Sequence, residues 1–164
     1  MTRKAIFAIV ALLAVLGLGL YGLSLARTEG LRMHHTSNLS QLAKGVAAYL
    51  TQIGESRFYP GSVGALFDTG VLKEKSVFTS PADPAPPTLR DGLPCSFESC
   101  FDTYPTVRFS DDFRSCMMVW DRKPFFGDKR YVAYFDYRVE RVDDAHFEQL
   151  RRELLEKAVK NKRE

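Results

Sequence analysis

The sequence predicts an α+β fold in which a long N-terminal helix packs on a small antiparallel sheet and a second helix ends the chain. Three observations predict it: residues 5–26 carry no charge, apolar residues between 31 and 53 recur at helical spacing, and short aromatic and β-branched runs follow a proline-rich segment. A chain of 164 residues has room for one modest folded domain. This length excludes a multidomain enzyme.

The first helix begins in a segment long enough to cross a membrane. The 22 residues from Ala5 to Ala26 carry no charge, and as a helix they rise about 33 Å, close to the hydrocarbon thickness of a bilayer. Arg3 and Lys4 precede them, and basic residues favour the cytoplasmic side. We therefore expect a single-pass anchor that contacts lipid along its length, through Ala5, Ile9, Leu13, Leu16, Leu20 and Ala26.

A cleaved signal peptide is the alternative for the same segment. Ser24-Leu25-Ala26 matches a small-x-small cleavage pattern, and the residues before Ala5 are basic. The apolar stretch exceeds the roughly 7–15 residues of a typical signal peptide, which favours a retained anchor. Both alternatives export the rest of the chain.

The helix is predicted to continue past the anchor as an amphipathic helix. No proline interrupts residues 5–53, and one stripe of side chains recurs at intervals of three and four residues. We expect this stripe to pack on the folded domain; it consists of Leu31, His35, Leu39, Leu42, Val46, Tyr49 and Ile53.

The middle of the chain is predicted to hold one short helix and a long surface loop. Val63–Asp68 has a helical pattern that Gly70 ends. Residues 79–95 contain five prolines, which exclude both a helix and a central strand there.

Three strands are predicted to form a small antiparallel sheet after this loop. Residues 116–120 and 131–135 are rich in aromatic and β-branched side chains, and each run is followed by Asp. Residues 139–142 alternate between apolar and charged side chains, with Asp136–Arg138 as the hairpin turn before them.

The closing helix is predicted to begin at Asp143 or Asp144, whose carboxylate can cap free backbone N–H groups. Its inner face consists of Phe147, Leu150 and Leu154. We divide the chain into an anchor (residues 1–26), an extracytoplasmic domain (27–156) and a charged tail (157–164).

The net charge of the chain does not indicate a nucleic-acid partner. The 23 Lys and Arg exceed the 20 Asp and Glu by three, and residues 151–164 account for that whole surplus. This segment has no aromatic residues, whereas a nucleic-acid surface usually interleaves them with bases.

Export suggests a disulfide between two of the three cysteines. Cys95 and Cys100 are separated by four residues and can close a small loop in an oxidising compartment. Such a loop contributes only about 2 kcal/mol. Free thiols, or a pairing that involves Cys116, are the alternatives.

Several phrases of the sequence resemble the type IV pilin-like proteins, in particular the major pseudopilin group of type II secretion systems. The likeness covers most of residues 5–150. In the long helix it lies in Ser37–Ala43 and Tyr49, and in the C-terminal sheet in Val119–Asp121 and Tyr134–Glu140. The segments between them that match are Arg57–Pro60 with Leu66, Gly70 and Leu72, and Ser80–Pro84.

This resemblance implies a pilin-like fold and a non-enzymatic structural or assembly role associated with type II secretion. It also implies an inner-membrane location with the folded domain on the periplasmic side, and partners among like subunits or secretion-system proteins. The major pseudopilins bind Ca²⁺ in a C-terminal loop, which makes Asp121, Asp128 and Asp136 the ligands to consider. Four bases interleave with the acids of residues 121–130 and would repel a dication, so we predict no cofactor.

Three positions depart from the family pattern. Lys4-Ala5 stands where pseudopilins have the Gly-Phe cleavage site, and Ile9 replaces the acid that pairs with a neighbouring subunit's N-terminus. Tyr137 occupies the place of a hairpin glycine. The first two departures favour an alternative role, a solitary membrane-anchored binding domain that no longer polymerises.

A hydrolase is a minor alternative. Cys116, His146, Asp121 and Asp136 supply a nucleophile, a base and carboxylates, but such sets arise from composition alone and no catalytic motif surrounds them. His34 and His35 are interpreted as helix surface near the membrane, because two ligands do not complete a metal site.

An aromatic group near the sheet is the predicted contact surface for a partner. Trp120, Phe125 and Phe126 form it, although Trp120 also fits the core face of a strand. Phe125 and Phe126 follow Pro124 in a predicted loop, and two adjacent side chains of an extended chain point to opposite sides. At least one of the two is therefore expected to be exposed.

Overall fold

The computed structural model describes residues 3–53, 61–89, 92–103 and 115–161. It confirms the predicted α+β class: a long N-terminal helix, an antiparallel sheet and a C-terminal helix. The elements are α1 (Arg3–Ile53), α2 (Ala65–Asp68), a 3₁₀ turn (Lys75–Phe78), β1 (Phe97–Ser99), α3 (Cys100–Thr103), β2 (Met117–Asp121), β3 (Lys129–Tyr134), β4 (Val139–Asp143) and α4 (Asp144–Asn161).

The chain divides into two compact units, Met1–Met33 and His34–Glu164. This boundary lies further along the chain than the predicted one at residue 26. In the first unit, the apolar side chains of α1 are exposed, from Phe7 at 80% to Leu25 at 52%. The described residues contain one helix apolar enough to cross a membrane, with a mean hydropathy of 2.3 and none of its apolar window buried.

The second unit is built on a four-stranded antiparallel sheet in the order β1-β2-β3-β4. Each strand pairs with the next along the chain; Trp120 of β2, for example, faces Glu98 of β1 and Val132 of β3. A register irregularity lies between Met117 and Val119. The three predicted strands are confirmed, but β1 was not predicted.

Helix α1 buries the middle of the predicted stripe, whereas Leu31 and Tyr49 are half-buried. Leu39, Leu42 and Val46 are at most 1% exposed, as their spacing of three and four residues requires for one helix face. Gly45 belongs to this face because a Cβ there would lie 2.8 Å from the Leu72 side chain. The side chain of Ile53, the last member of the stripe, lies outside the described residues.

The closing helix begins as predicted. Asp143 Oδ1 accepts a hydrogen bond of 2.9 Å from the His146 N–H, which caps α4. Phe147, Leu150 and Leu154 are buried. The helix runs to Asn161 and buries Ala158, so the predicted charged tail begins within a helical, partly buried segment.

The described part of the proline-rich segment has no helix and no named strand, as predicted, and its prolines are exposed or half-buried, but four of its other side chains are buried. Ser80, Asp83, Leu93 and Cys95 are all less than 9% exposed, and residues 88 and 94 form an isolated antiparallel bridge. Prolines exclude regular structure but do not exclude burial, because neighbouring side chains satisfy the polar groups of the segment.

Candidate functional site

A buried polar cluster joins α1 to the sheet at His35. The imidazole is fully buried. Its Nδ1 lies 2.9 Å from Ser80 Oγ, and its Nε2 lies 2.8 Å from Asp121 Oδ1, whose side chain is also fully buried. The His35–Asp121 contact has the distance of an ion pair, but its angles depart from those of a regular hydrogen bond.

Of the two predictions for His35, its place in the stripe that packs on the folded domain is confirmed, and its place on the interfacial surface of the helix is wrong. His35 is four residues before Leu39 and shares its face, so it points into the second unit as the apolar stripe does. Its neighbour His34 is exposed. A buried histidine needs polar partners, and Ser80 and Asp121 provide them.

Asp121 closes the cluster from the side of the sheet. Its Oδ2 accepts a hydrogen bond of 2.9 Å from the Tyr131 N–H. Burial raises the pKa of the Asp121 carboxyl, and His35, the Tyr131 N–H and Arg130 oppose this increase. Because this carboxylate is buried and both of its oxygens contact groups inside the domain, it is not positioned as the calcium ligand considered from the sequence.

A second set of hydrogen bonds continues from Ser80. Its backbone N–H donates to Ser96 Oγ at 2.9 Å, and Ser96 Oγ donates to Asp83 Oδ2 at 2.8 Å. Lys123 Nζ lies 3.2 Å from Asp83 Oδ1 and connects this network to solvent. The network ties the proline-rich segment to the start of β1 and to the loop after β2.

Four aromatic rings surround the imidazole of His35. Their centroids lie 5.1–5.6 Å from it, on Phe97, Phe125, Phe126 and Tyr131. These rings contribute apolar contact and exclude water from the His35–Asp121 contact, which strengthens its electrostatic interaction. We call His35, Ser80, Asp121 and these four aromatic residues the His35 cluster.

This arrangement corrects the predicted contact surface. Trp120 is 1% exposed and Phe126 is 7% exposed, so both belong to the core. Phe125 is half-buried, and its ring faces His35 as that of Phe126 does. The loop bends between β2 and β3, so the alternation of an extended chain does not apply to these two residues.

The His35 cluster has the residue types of a Ser-His-Asp triad, which the sequence did not reveal. In such a triad the serine attacks a substrate, the histidine takes its proton and the aspartate orients the histidine. Here Ser80 is 3% exposed and its partners are fully buried, so a substrate cannot reach Ser80 Oγ in this conformation. Two surface depressions of about 870 and 540 Å³ lie in the second unit, and none of the three residues lines them.

The residues considered for hydrolysis are not brought together. Cys116 is buried, whereas His146 lies exposed in the first turn of α4 and Asp136 lies exposed in the β3–β4 turn. Neither surface depression is lined by Cys116 or His146. Within the described ranges, no group of three or more His, Cys, Asp or Glu side chains could hold a metal ion; Asp128 and Asp136 are exposed.

The structure does not join Cys95 to Cys100 by the predicted disulfide, and all three cysteines are buried. Strand β1 separates Cys95 from Cys100 and rises about 3.3 Å per residue, whereas a disulfide needs Cα atoms within about 7 Å. Cys95 Sγ contacts the Phe97 carbonyl oxygen at 3.4 Å. Burial, together with nearby Asp102, raises the pKa of the Cys100 thiol well above its usual value, which makes it unreactive.

The residues predicted to form the anchor lie on the exposed apolar surface of the first unit. Ile9, Leu13, Leu16 and Leu20 are 44–69% exposed, and Ala26 is exposed as well. The side chain of Ala5 lies outside the described residues. Ser24 and Thr28 hydroxyls donate to the carbonyl oxygens of Tyr21 and Ser24, which reduces the cost of placing them in an apolar environment.

Comparison with protein-family models, with curated proteins and with solved structures found no match for this chain.

Proposed function

We propose that this protein is a non-enzymatic, pilin-like membrane protein that takes part in an assembly in the inner membrane, associated with type II secretion. Helix α1 anchors it by its first unit, and the second unit lies on the periplasmic side. Its partners are like subunits or secretion-system proteins.

The observation that carries this proposal is the change of environment along α1. Between residues 7 and 25, the large apolar side chains whose exposure is described are 44–80% exposed. Leu39, Leu42 and Val46, further along the same helix, are buried in the second unit. An apolar helix of this length is stable when it contacts lipid, whereas exposing its side chains to water is energetically unfavourable. The sequence phrases shared with pseudopilins, several of which lie in α1 and the sheet, agree with the proposal.

The direct test compares the native size of the protein in mild detergent extracts of membranes. We expect a ladder of oligomers or a larger complex on a native gel. Protease added after the outer membrane is permeabilised should degrade the second unit, whereas protease added to intact cells should not. A sharp monomer band would contradict the assembly role, and protection after permeabilisation would contradict the orientation.

A solitary membrane-anchored binding domain is the second candidate function. Ile9 favours it, because an isoleucine offers no carboxylate to pair with the N-terminal amine of a neighbouring subunit. This candidate predicts the monomer band in the same experiment. Intact-mass measurement should show an unprocessed N-terminus for both candidates, and loss of residues 1–26 would indicate a secreted protein instead.

A further inference from the structure

The tip of the β3–β4 hairpin carries an exposed aromatic side chain on an unfavourable backbone conformation. Tyr137 has φ +68°, and the other described residues with positive φ are Gly70, Gly92 and Gly127. A bulky residue in this left-handed region is a genuine outlier, since its Cβ meets the backbone there.

The turn geometry explains why a glycine would be expected. The Tyr137 N–H donates to the Tyr134 carbonyl at 2.9 Å, and the Tyr134 N–H donates to the Arg138 carbonyl at 2.9 Å. This is a three-residue hairpin loop, in which a type I turn is followed by one residue in the left-handed conformation. Glycine adopts that conformation without strain. Stability alone therefore does not account for a tyrosine at residue 137.

Packing does not account for it either. The Tyr137 side chain is 45% exposed, and within the described part of the chain its phenol makes no hydrogen bond and no ring contact. Tyr137 and Leu155 are the exposed large apolar side chains among the described residues of the second unit. A strained, exposed aromatic residue is a candidate contact with another molecule.

The backbone of the hairpin tip that carries Tyr137 is ordered by contacts among the neighbouring side chains. The Arg138 guanidinium lies 4.4 Å from the centroid of the Tyr134 ring, and it forms ion pairs with Asp136 and Glu140. The Arg138 N–H donates to Asp136 Oδ1 at 3.1 Å. A pre-ordered tip loses little conformational entropy when a partner binds, which favours affinity.

We propose that Tyr137 is the anchor of a protein-contact site at this hairpin tip. Its partner is a protein with an apolar pocket that receives the ring. The rim of that pocket is basic, because the tip carries two carboxylates, on Asp136 and Glu140, beside the one guanidinium of Arg138. Tyrosine is among the residues enriched in such contacts, because one rigid side chain supplies a large area and a polar end. The inference rests on the proposed assembly function and names the surface through which assembly occurs.

The test measures stability and complex formation on the same variant, using the full chain in detergent-extracted membranes. Tyr137→Gly removes the ring and also removes the strain of a bulky residue at positive φ. We therefore expect the melting temperature to rise by roughly 3–5 °C. The complex seen for the original protein on a native gel should at the same time be lost or fall at least tenfold in abundance. If Tyr137 had only a structural role, the melting temperature and the abundance of the complex would change in the same direction.

Two control variants separate the ring from general surface effects. Tyr137→Phe keeps the ring and the strained backbone and should retain most of the complex. Leu155→Ala removes the other exposed apolar side chain and should leave the complex intact. A complex that survives Tyr137→Gly, or a lower melting temperature for that variant, would overturn the contact site alone. A monomer for the original protein would overturn the assembly function as well.

Discussion

At the scale of single residues, the His35–Asp121 pair constrains how the second part of α1 packs against the sheet. Both side chains are fully buried, and removing Asp121 leaves His35 Nε2 and the Tyr131 N–H without their polar partner. We predict that Asp121→Ala lowers the free energy of unfolding by about 3–5 kcal/mol, measured by urea denaturation of the protein in detergent. The double variant His35→Leu/Asp121→Leu should lose less than the sum of the two single leucine variants. Additive losses would show that the two side chains do not interact.

The raised pKa of the Asp121 carboxyl gives this pair a defined pH dependence. A carboxyl whose pKa is raised on folding binds its proton more tightly in the folded state. Its contribution to stability is therefore fully present below its usual pKa of 3.8 and is lost as pH rises through the raised value. Asp121→Asn should remove this component from a plot of stability against pH, with Asp128→Asn as an exposed control.

Tyr134 provides a second test at residue scale, at alkaline pH. Burial and the hydrogen bond to Glu140 raise its pKa to about 12 from 10.0. The folded state keeps the phenol protonated, so stability should fall as pH rises from about 10 to about 12. Tyr134→Phe should weaken this decrease, and absorbance of phenolate should show one tyrosine ionising late. Ionisation of every tyrosine near pH 10 would contradict the prediction.

At the scale of elements, the start of α4 depends on a single side chain. The Asp143 carboxylate accepts the His146 N–H at 2.9 Å. We predict that Asp143→Ala costs about 1 kcal/mol of stability through the lost cap. Asp144→Ala is the matched control, since Asp144 pairs with Arg130 at the surface and such pairs contribute little. Equal losses for both variants would indicate that the charge of the helix N-terminus matters rather than the cap.

The elements that the sequence predicts well are those with a local signal. The stripe Leu39, Leu42 and Val46, the strands β2 to β4 and the start of α4 follow from spacing, composition and a capping residue. Strand β1 has only three residues, Phe97–Ser99, which is too short for a recognisable alternation. It is recognised only by its pairing with β2.

The His35 cluster could not be predicted because its partners are distant in the chain. Ser80 is 45 residues from His35 and lies in a segment whose prolines suggested a surface loop. Asp121 follows the run 116–120 that was predicted as a strand, which suggested a ligand or a surface carboxylate. The spacing of the stripe does place His35 on the buried face of α1, and this was the available signal for a buried polar partner.

At the scale of the whole molecule, the first unit is expected to determine where the protein resides. Leu13→Arg with Leu16→Arg places two charges within the apolar stretch, at about 3 kcal/mol each near the centre of a membrane helix. We predict that this variant moves from the membrane pellet to the carbonate-soluble fraction. Leu155→Arg, on α4, should stay in the pellet. Retention of the double variant would mean that something other than the apolar helix holds the protein there.

The position of His35 near the start of the second unit has a consequence for biogenesis. A ribosome produces this histidine before any of the side chains that enclose it, and Asp121 follows 86 residues later, roughly 4–17 s at ordinary elongation rates. The N-terminal helix thus emerges while its docking surface does not yet exist. Under the proposed anchoring, the first unit has this interval to enter the membrane. A chain stalled before β2 would leave the apolar face of α1 uncovered and its backbone accessible to proteases.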